Sequence, residues 1–296
     1  MNAAVYPAGL IRRRRTRLQI EQLDRQILQA LEEDHPQSVR HVYYQMTNPR
    51  LPEYVEKSER GYDQVQYRCL KLRRDGRLPY GWIADATRRG YFTNTYRSAA
   101  EFLRNVAGLY RADLWRDSET YVEVWCESRS IAAVIQDDCE ELAVSLYPAG
   151  GFSSVTLCYE AAEQINALAI DKRSVVIFYI GDYDPAGVLI DLAIEKELRI
   201  HLDTNINLDF RRLAITPEQI RRFDLPRKPR KKSDRRVLRI KQTVEAEAMP
   251  ARILRALLRT EIESLLPQRA LEVSKVAEES EQEYLNLLAK RADRRL

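Results

Sequence analysis

Six apolar residues, 175–180, stop at Gly181 and are followed by two aspartates at i and i+2, Asp182 and Asp184, then Pro185 and Gly187. A short apolar run closed by turn residues reads as a strand buried on both faces, as in a parallel sheet. Parallel strands need long crossovers, so this segment commits the surrounding chain to alternating strands and helices. Open α/β sheets gather their chemistry at the carboxyl ends of their strands. Asp182 and Asp184 therefore fall in a loop at that edge. Two hard oxygen donors there suit Mg²⁺, which prefers a few carboxylates, several waters and a phosphate. The same spacing also serves simply to cap the following helix, expected over 188–198.

A second carboxylate source lies upstream. Residues 121–127, YVEVWCE, alternate strictly, with Tyr121, Glu123, Trp125 and Glu127 on one side and Val122, Val124 and Cys126 on the other. Val, Tyr and Trp at that spacing predict a strand. Glu127 ends it, just before a helical pattern that begins near Ser130. Between the two strands, 142–148 reads as a short strand and 154–169 as a helix. The order is β-α-β-α-β-α, which predicts parallel pairing with right-handed crossovers. Glu127, Asp182 and Asp184 would then gather at one edge of one sheet.

This arrangement resembles the Toprim domain, the metal-binding module of topoisomerases, primases and some nucleases, which carries a Glu after its first strand and a D-x-D after a later one. The wording G-D-Y-D-P-A-G is similar to the acidic loop of the topoisomerase VI A subunit and its relative, the transesterase that makes meiotic double-strand breaks. Those proteins usually place a Lys after the Glu. This chain has Ser128 and Arg129, so any charge there would come from Arg129. The resemblance covers roughly residues 36–250. It implies Mg²⁺ held by Glu127, Asp182 and Asp184.

Residues 39–45, VRHVYYQ, carry the second motif. Ser38 is an N-cap for a short helix and Pro36 precedes it. Paired tyrosines behind an Arg resemble the R-x-x-Y-Y element of topoisomerase VI A subunits, where a tyrosine on a winged-helix domain attacks a DNA phosphodiester. By that match Tyr44 is the nucleophile, Tyr43 its packing neighbour and Arg40 the phosphate-orienting cation. A phenol with a pKa of about 10 is a poor nucleophile at neutral pH and needs a base, cation or metal beside it. A helical Tyr-Tyr pair that only packs remains the alternative reading of the residues.

Net charge is +4, but the positive charge is concentrated. Residues 12–17 hold five Arg in six positions, and 221–241 hold eleven Lys or Arg against Asp224 and Asp234. Without that second segment the remainder is net negative. Such concentration is the footprint of a polyanion partner. Lys228, Arg230, Lys231 and Lys232 read as a phosphate-contacting arm, which adds affinity without reading sequence. A solvated linker is the alternative.

Helical periodicity over 17–34, the Tyr43–Tyr44 helix, a further helix over 62–74 and a candidate wing strand at 78–83 describe a winged-helix arrangement. Arg68, Lys71 and Arg74 form its recognition face toward DNA. Late in the chain, 237–250 includes VEAEAMP, read as an edge strand whose Glu245 and Glu247 either join the site or, on the favoured reading, face solvent. Glu123 is a further acidic candidate. Pro250 opens a helix, Pro267 breaks the pattern and an amphipathic helix ends the chain.

The expected fold is therefore α/β. A basic arm (1–17) precedes a helical winged-helix domain (18–115), a Toprim domain with a Rossmann-like, mostly parallel sheet (118–250) and C-terminal helices (251–296). Four cysteines without C-x-x-C spacing and three histidines argue against zinc and for free thiols in a reducing compartment. No apolar run approaches membrane-spanning length, and the apolar N-terminal residues precede the Arg run, opposite to a signal peptide. A cytoplasmic, nucleoid-associated protein is expected. The resemblance implies Mg²⁺-dependent cleavage of double-stranded DNA by a homodimer in which each tyrosine meets its partner's metal cluster. The chain shows no G-x-x-x-x-G-K-[ST] loop, so strand passage would need a separate ATPase subunit. A hydrolytic Toprim nuclease and a non-catalytic DNA-binding protein are the rival readings.

Overall fold

The computed structural model describes residues 15–84, 93–150, 155–168, 174–229 and 240–293. The chain divides into two compact units, Met1–Ile83 and Ala84–Leu296.

The first unit is built from three helices, α1 (Arg17–Glu33), α2 (Val39–Met46) and α3 (Glu59–Arg74). Each begins where a short hydroxyl side chain can take up orphan amides. Thr16 forms a capping box with Gln19, Ser38 accepts from His41 N, and Ser58 accepts from Gly61 N. Leu23, Ile27 and Leu31 of α1 are buried, as are Val42 of α2 and Val65 and Leu72 of α3. The α3 helix ends at Asp75, and Gly76 follows at φ +70, a left-handed turn that favours glycine. The wing strand expected over 78–83 is replaced by a 3-10 turn, Tyr80–Trp82. Ile83 makes one isolated bridge, to Gln37. Pro79 offers no amide for a ladder, and the Trp82 ring stacks on His35 at 4.6 Å.

The second unit carries a four-stranded, all-parallel sheet in the order β2-β1-β3-β4. Its strands are β1 (Thr120–Cys126), β2 (Ser145–Pro148), β3 (Ser174–Ile180) and β4 (Leu208–Ala214). The crossovers are α5 (Arg129–Glu141), α6 (Val155–Leu168) and α7 (Gly187–His201). The α6 and α7 helices cover one face with a core that includes Trp125, Ile165, Ile177, Tyr179, Ile190 and Ile194. The α5 helix packs on β1, and α9 (Ala251–Glu263) packs on both α5 and β4. Helices on both faces explain why β3 is apolar throughout.

The β4 strand escapes a pattern reading because three residues of its sequence, LDFRRLA, are charged. Arg211 pairs with Asp209 at 2.5 Å, and the Arg212 side chain is mostly enclosed. After the short helix α8 (Pro217–Arg222) comes the region of the strand expected across 237–250; its residues 237–239 lie outside the described residues, and Gln242–Thr243 (β6) runs antiparallel to Lys228–Pro229 (β5). Val244 then bridges Tyr183 and the chain turns into a 3-10 segment, Ala246–Ala248. The helix α4 (Ala99–Ala107) packs along the 24-residue α10 (Ala270–Asp293), so by its contacts it belongs with the second unit. Arg111 of the α4–β1 connection pairs with Glu278 of α10 at 2.8 Å.

Candidate metal centre at the sheet edge

The β1 and β3 strands run parallel and in register, with Cys126 opposite Ile180, so Glu127 and Gly181 leave the sheet side by side. The two strand ends are then joined directly. Asp182 N donates to Glu127 Oε2 at 2.9 Å. Gly187 completes the approach: a Cβ there would lie 2.2 Å from the Asp182 carbonyl oxygen and 3.3 Å from Glu127 Oε2, so only glycine fits.

The two aspartates of the D-x-D have separate jobs. Asp184 Oδ1 accepts from Ala186 N at 2.8 Å and Gly187 N at 2.6 Å, capping the start of α7. Asp182 Oδ1 accepts from Ala246 N at 2.8 Å, which ties the loop to the 3-10 segment. That contact brings Glu247 in. Glu247 is buried, with Oε1 accepting from Ser130 Oγ at 2.5 Å and Ser128 Oγ at 3.3 Å. The solvent-facing edge strand expected for this glutamate is thus corrected. The 3-10 turn rolls it inward, and two serines at the start of α5 satisfy it. Glu245 sits partly buried and pairs with Lys228 at 2.7 Å.

Burial and mutual repulsion outweigh the positive charge near the cluster. Burial, then repulsion from Glu127 and Glu247, holds Asp182 well above the usual carboxylate range. Burial likewise raises Glu127, opposed by the bond from the Asp182 amide and by the Arg212 charge, with Asp184 and Glu247 adding repulsion. Glu127 Oε1, Asp182 Oδ2 and Asp184 Oδ2 accept no hydrogen bond from the described residues. Hard, partly desolvated and uncompensated oxygens are the donor set a divalent cation wants. Among the described residues no group of three or more His, Cys, Asp or Glu side chains converges as a ready metal cage. Mg²⁺ needs only one or two carboxylates beside water and substrate phosphate, and Glu127 with Asp182 offers that pair.

Glu123 is elsewhere. Its side chain is fully buried in the α6/α7 face, accepting from Tyr121 OH at 3.0 Å and Trp125 Nε1 at 2.8 Å. Burial pushes it up to about 7. The β1 alternation placed it on the Trp125 side, and that side is core.

In the first unit Tyr44 is 5 % exposed, with its ring 5.1 Å from Tyr43 and Lys57 Nζ 5.8 Å from its centroid. Tyr43 donates to Ser58 O at 3.2 Å and meets Tyr62 edge-on. The Arg40 guanidinium lies 5.0 Å from the Tyr62 ring centre. Lys71 and Arg74 project from the last turn of α3, Lys71 with Asp75 at 3.3 Å. Arg68 is different, because both arms of its guanidinium go to buried Asp24, at 2.7 and 2.5 Å, which makes it part of the α1–α3 packing. Arg129 is exposed in the first turn of α5. Arg230, Lys231 and Lys232 lie outside the described residues.

Sequence reasoning missed Arg212. Its Nε donates to Ile215 O at 3.0 Å, and Nη1 donates to Gly187 O at 3.2 Å and to Asp191 Oδ2 at 2.5 Å. Nη2 donates to Gly181 O at 3.0 Å and to Asp182 O. A charged residue inside an unrecognised strand gives no such signal.

No family model, curated protein or solved structure matches this chain. No described helix is long and apolar enough to cross a membrane.

Proposed function

We propose that the protein cleaves DNA by Mg²⁺-dependent phosphodiester exchange, with Glu127 and Asp182 as the carboxylates that hold the ion and Tyr44 as the nucleophile. The observation that carries this reading is the direct Glu127–Asp182 contact across two parallel strand ends, with uncompensated oxygens on both residues. When bound, Mg²⁺ supplies positive charge against the phosphate and against the charge that develops on it during displacement. Asp184 shapes the loop by capping α7, and Glu247 adds negative charge beside Asp182. In the reaction, the Tyr44 phenolic oxygen bonds to phosphorus while the bond from phosphorus to a sugar oxygen breaks. The phenolic proton ends on the departing sugar oxygen, by way of solvent. Lys57 and Arg40 flank the tyrosine cluster and would hold backbone phosphate there. On the resemblance, the working form is a homodimer on double-stranded DNA, and a separate ATPase subunit would gate any strand passage. The basic segments 12–17 and 221–241 would add sequence-independent affinity.

The low exposure of Tyr44 favours a second reading, in which the same carboxylates serve hydrolysis by water and the tyrosine packs. Supercoiled plasmid incubated with protein and Mg²⁺, stopped with denaturant and split with and without protease, separates them. Linear DNA that stays protein-bound until digested, and is lost in Tyr44→Phe, supports exchange. Protein-free cuts that survive Tyr44→Phe support hydrolysis. Binding without cleavage, unchanged in Asp182→Asn, would overturn both.

A further inference from the structure

We infer that Arg212 is the positioning residue of the acidic loop, holding the Glu127–Asp182 pair in place before any cation arrives; this rests on the metal reading above. The Arg212 guanidinium has five N–H groups, and the contacts described above use all five. An arginine that served only as an ion-pair partner for Asp191 would direct its fork at that carboxylate. Here Asp191 takes a single bond, at 2.5 Å, and three of the remaining bonds go to carbonyls of the acidic loop itself.

The placement of those carbonyls explains what the contacts achieve. Gly181 and Asp182 begin the loop and Gly187 ends it, so one planar group spans both ends. Asp191 lies one turn further along α7 and anchors the fork, while Ile215 O fixes its root at the end of β4. The guanidinium also lies over the Tyr179 ring, 5.6 Å from its centre, which restricts its tilt. The Asp182 peptide is therefore held from two sides, its carbonyl by Arg212 and its amide by Glu127 Oε2. The device brings a fixed positive charge close to repelling carboxylates without occupying their free oxygens, which stay available to a cation. A lysine cannot substitute, because its ammonium is a compact point charge and cannot span the two ends of the loop.

The test uses the full chain and two readouts. Mg²⁺ and Mn²⁺ affinities are measured by titration calorimetry for wild type and Arg212→Lys. Amide hydrogen exchange over 181–188 is measured in EDTA. The expected result is at least tenfold weaker cation binding and at least tenfold faster exchange in that loop, with exchange in β1 and α6 unchanged. Wild-type affinity together with wild-type loop exchange in Arg212→Lys would overturn the inference. If wild type itself binds neither cation, the metal reading falls, while the EDTA exchange data still decide the positioning role. Should Arg212→Lys fail to fold, Asp191→Asn keeps the loop carbonyl contacts and loosens the anchor. It should weaken binding and speed loop exchange in the same direction by a smaller factor, and no change in either would likewise overturn the role.

Discussion

Asp24 and Asp182 are both carboxylates drawn out of water, and the protein treats them in opposite ways. Asp24, in the helical unit, is 2 % exposed and takes two bonds from Arg68, with Arg77 at 3.7 Å as a further cation. Asp182, at the sheet edge, takes one backbone amide and stands among Glu127 and Glu247, with Arg212 reaching its carbonyl and not its carboxylate. A charge compensated by a fitted partner is a packing element. A carboxylate raised by burial and then by its own kind is costly to the fold, a cost that the proposed cation site would account for.

The largest effect that would break this contrast is on Asp182. Asp182→Asn should lower Mg²⁺-dependent plasmid cleavage by at least about a hundredfold, since on the proposed reading it removes a metal donor. In EDTA above neutral pH it should raise the melting temperature, because the folded carboxyl binds its proton more tightly than the unfolded one. For such a group, stability is greatest at low pH and is lost as pH rises from the ordinary carboxylate range through the raised folded value. An unaltered cleavage rate would remove Asp182 from the site. Asp24→Ala should act the other way, costing about 3 kcal/mol by leaving Arg68 enclosed and unpaired, read from denaturant unfolding. A loss near zero would mean that the pair is not what joins α1 to α3.

Glu123 sharpens the comparison, being a buried carboxylate with hydroxyl and indole donors and no cation. With its pKa at about 7 in the fold, wild type should lose stability between about pH 4.5 and 7, by at most about 3 kcal/mol. Glu123→Gln should flatten that slope, and an unchanged pH profile would show the site to be wetter than its burial implies. The smallest effect belongs to the exposed cations. Lys71→Ala or Arg74→Ala should weaken DNA binding evenly across sequences and reduce the salt slope by about one. A sequence-selective loss would point instead to base contacts.

How much of this was legible beforehand depended on the range of the interactions. The helices α1, α2 and α3 follow from periodicity and local signals such as Ser38 and Gly76, which act within a turn of the residues they organise, although α3 starts three residues before the expected 62, at the Ser58 cap. The β1 and β3 strands and their parallel pairing follow from local pattern, and with them the meeting of Glu127 with the D-x-D loop. The β4 strand was hidden by Asp209, Arg211 and Arg212, whose partners make a polar sequence fit a sheet. The wing strand failed because Pro79 and the His35–Trp82 stack favour a tight turn over a ladder.

By itself, then, the sequence determined an α/β unit with an acidic loop at its carboxyl edge and a basic, tyrosine-bearing helical unit before it. Alternation, caps and glycines are short-range signals and survive without a fold. Only the tertiary structure decided what each remaining carboxylate does around the Glu127–Asp182 pair. It sent Asp184 to a helix cap and Glu123 to the core, rolled Glu247 inward beside Asp182, and placed Arg212 across the loop. The last two depend on groups far apart in the chain, 21 positions for Arg212 with Asp191 and 117 and 119 for Glu247 with Ser130 and Ser128, and no local pattern encodes contacts made at that separation.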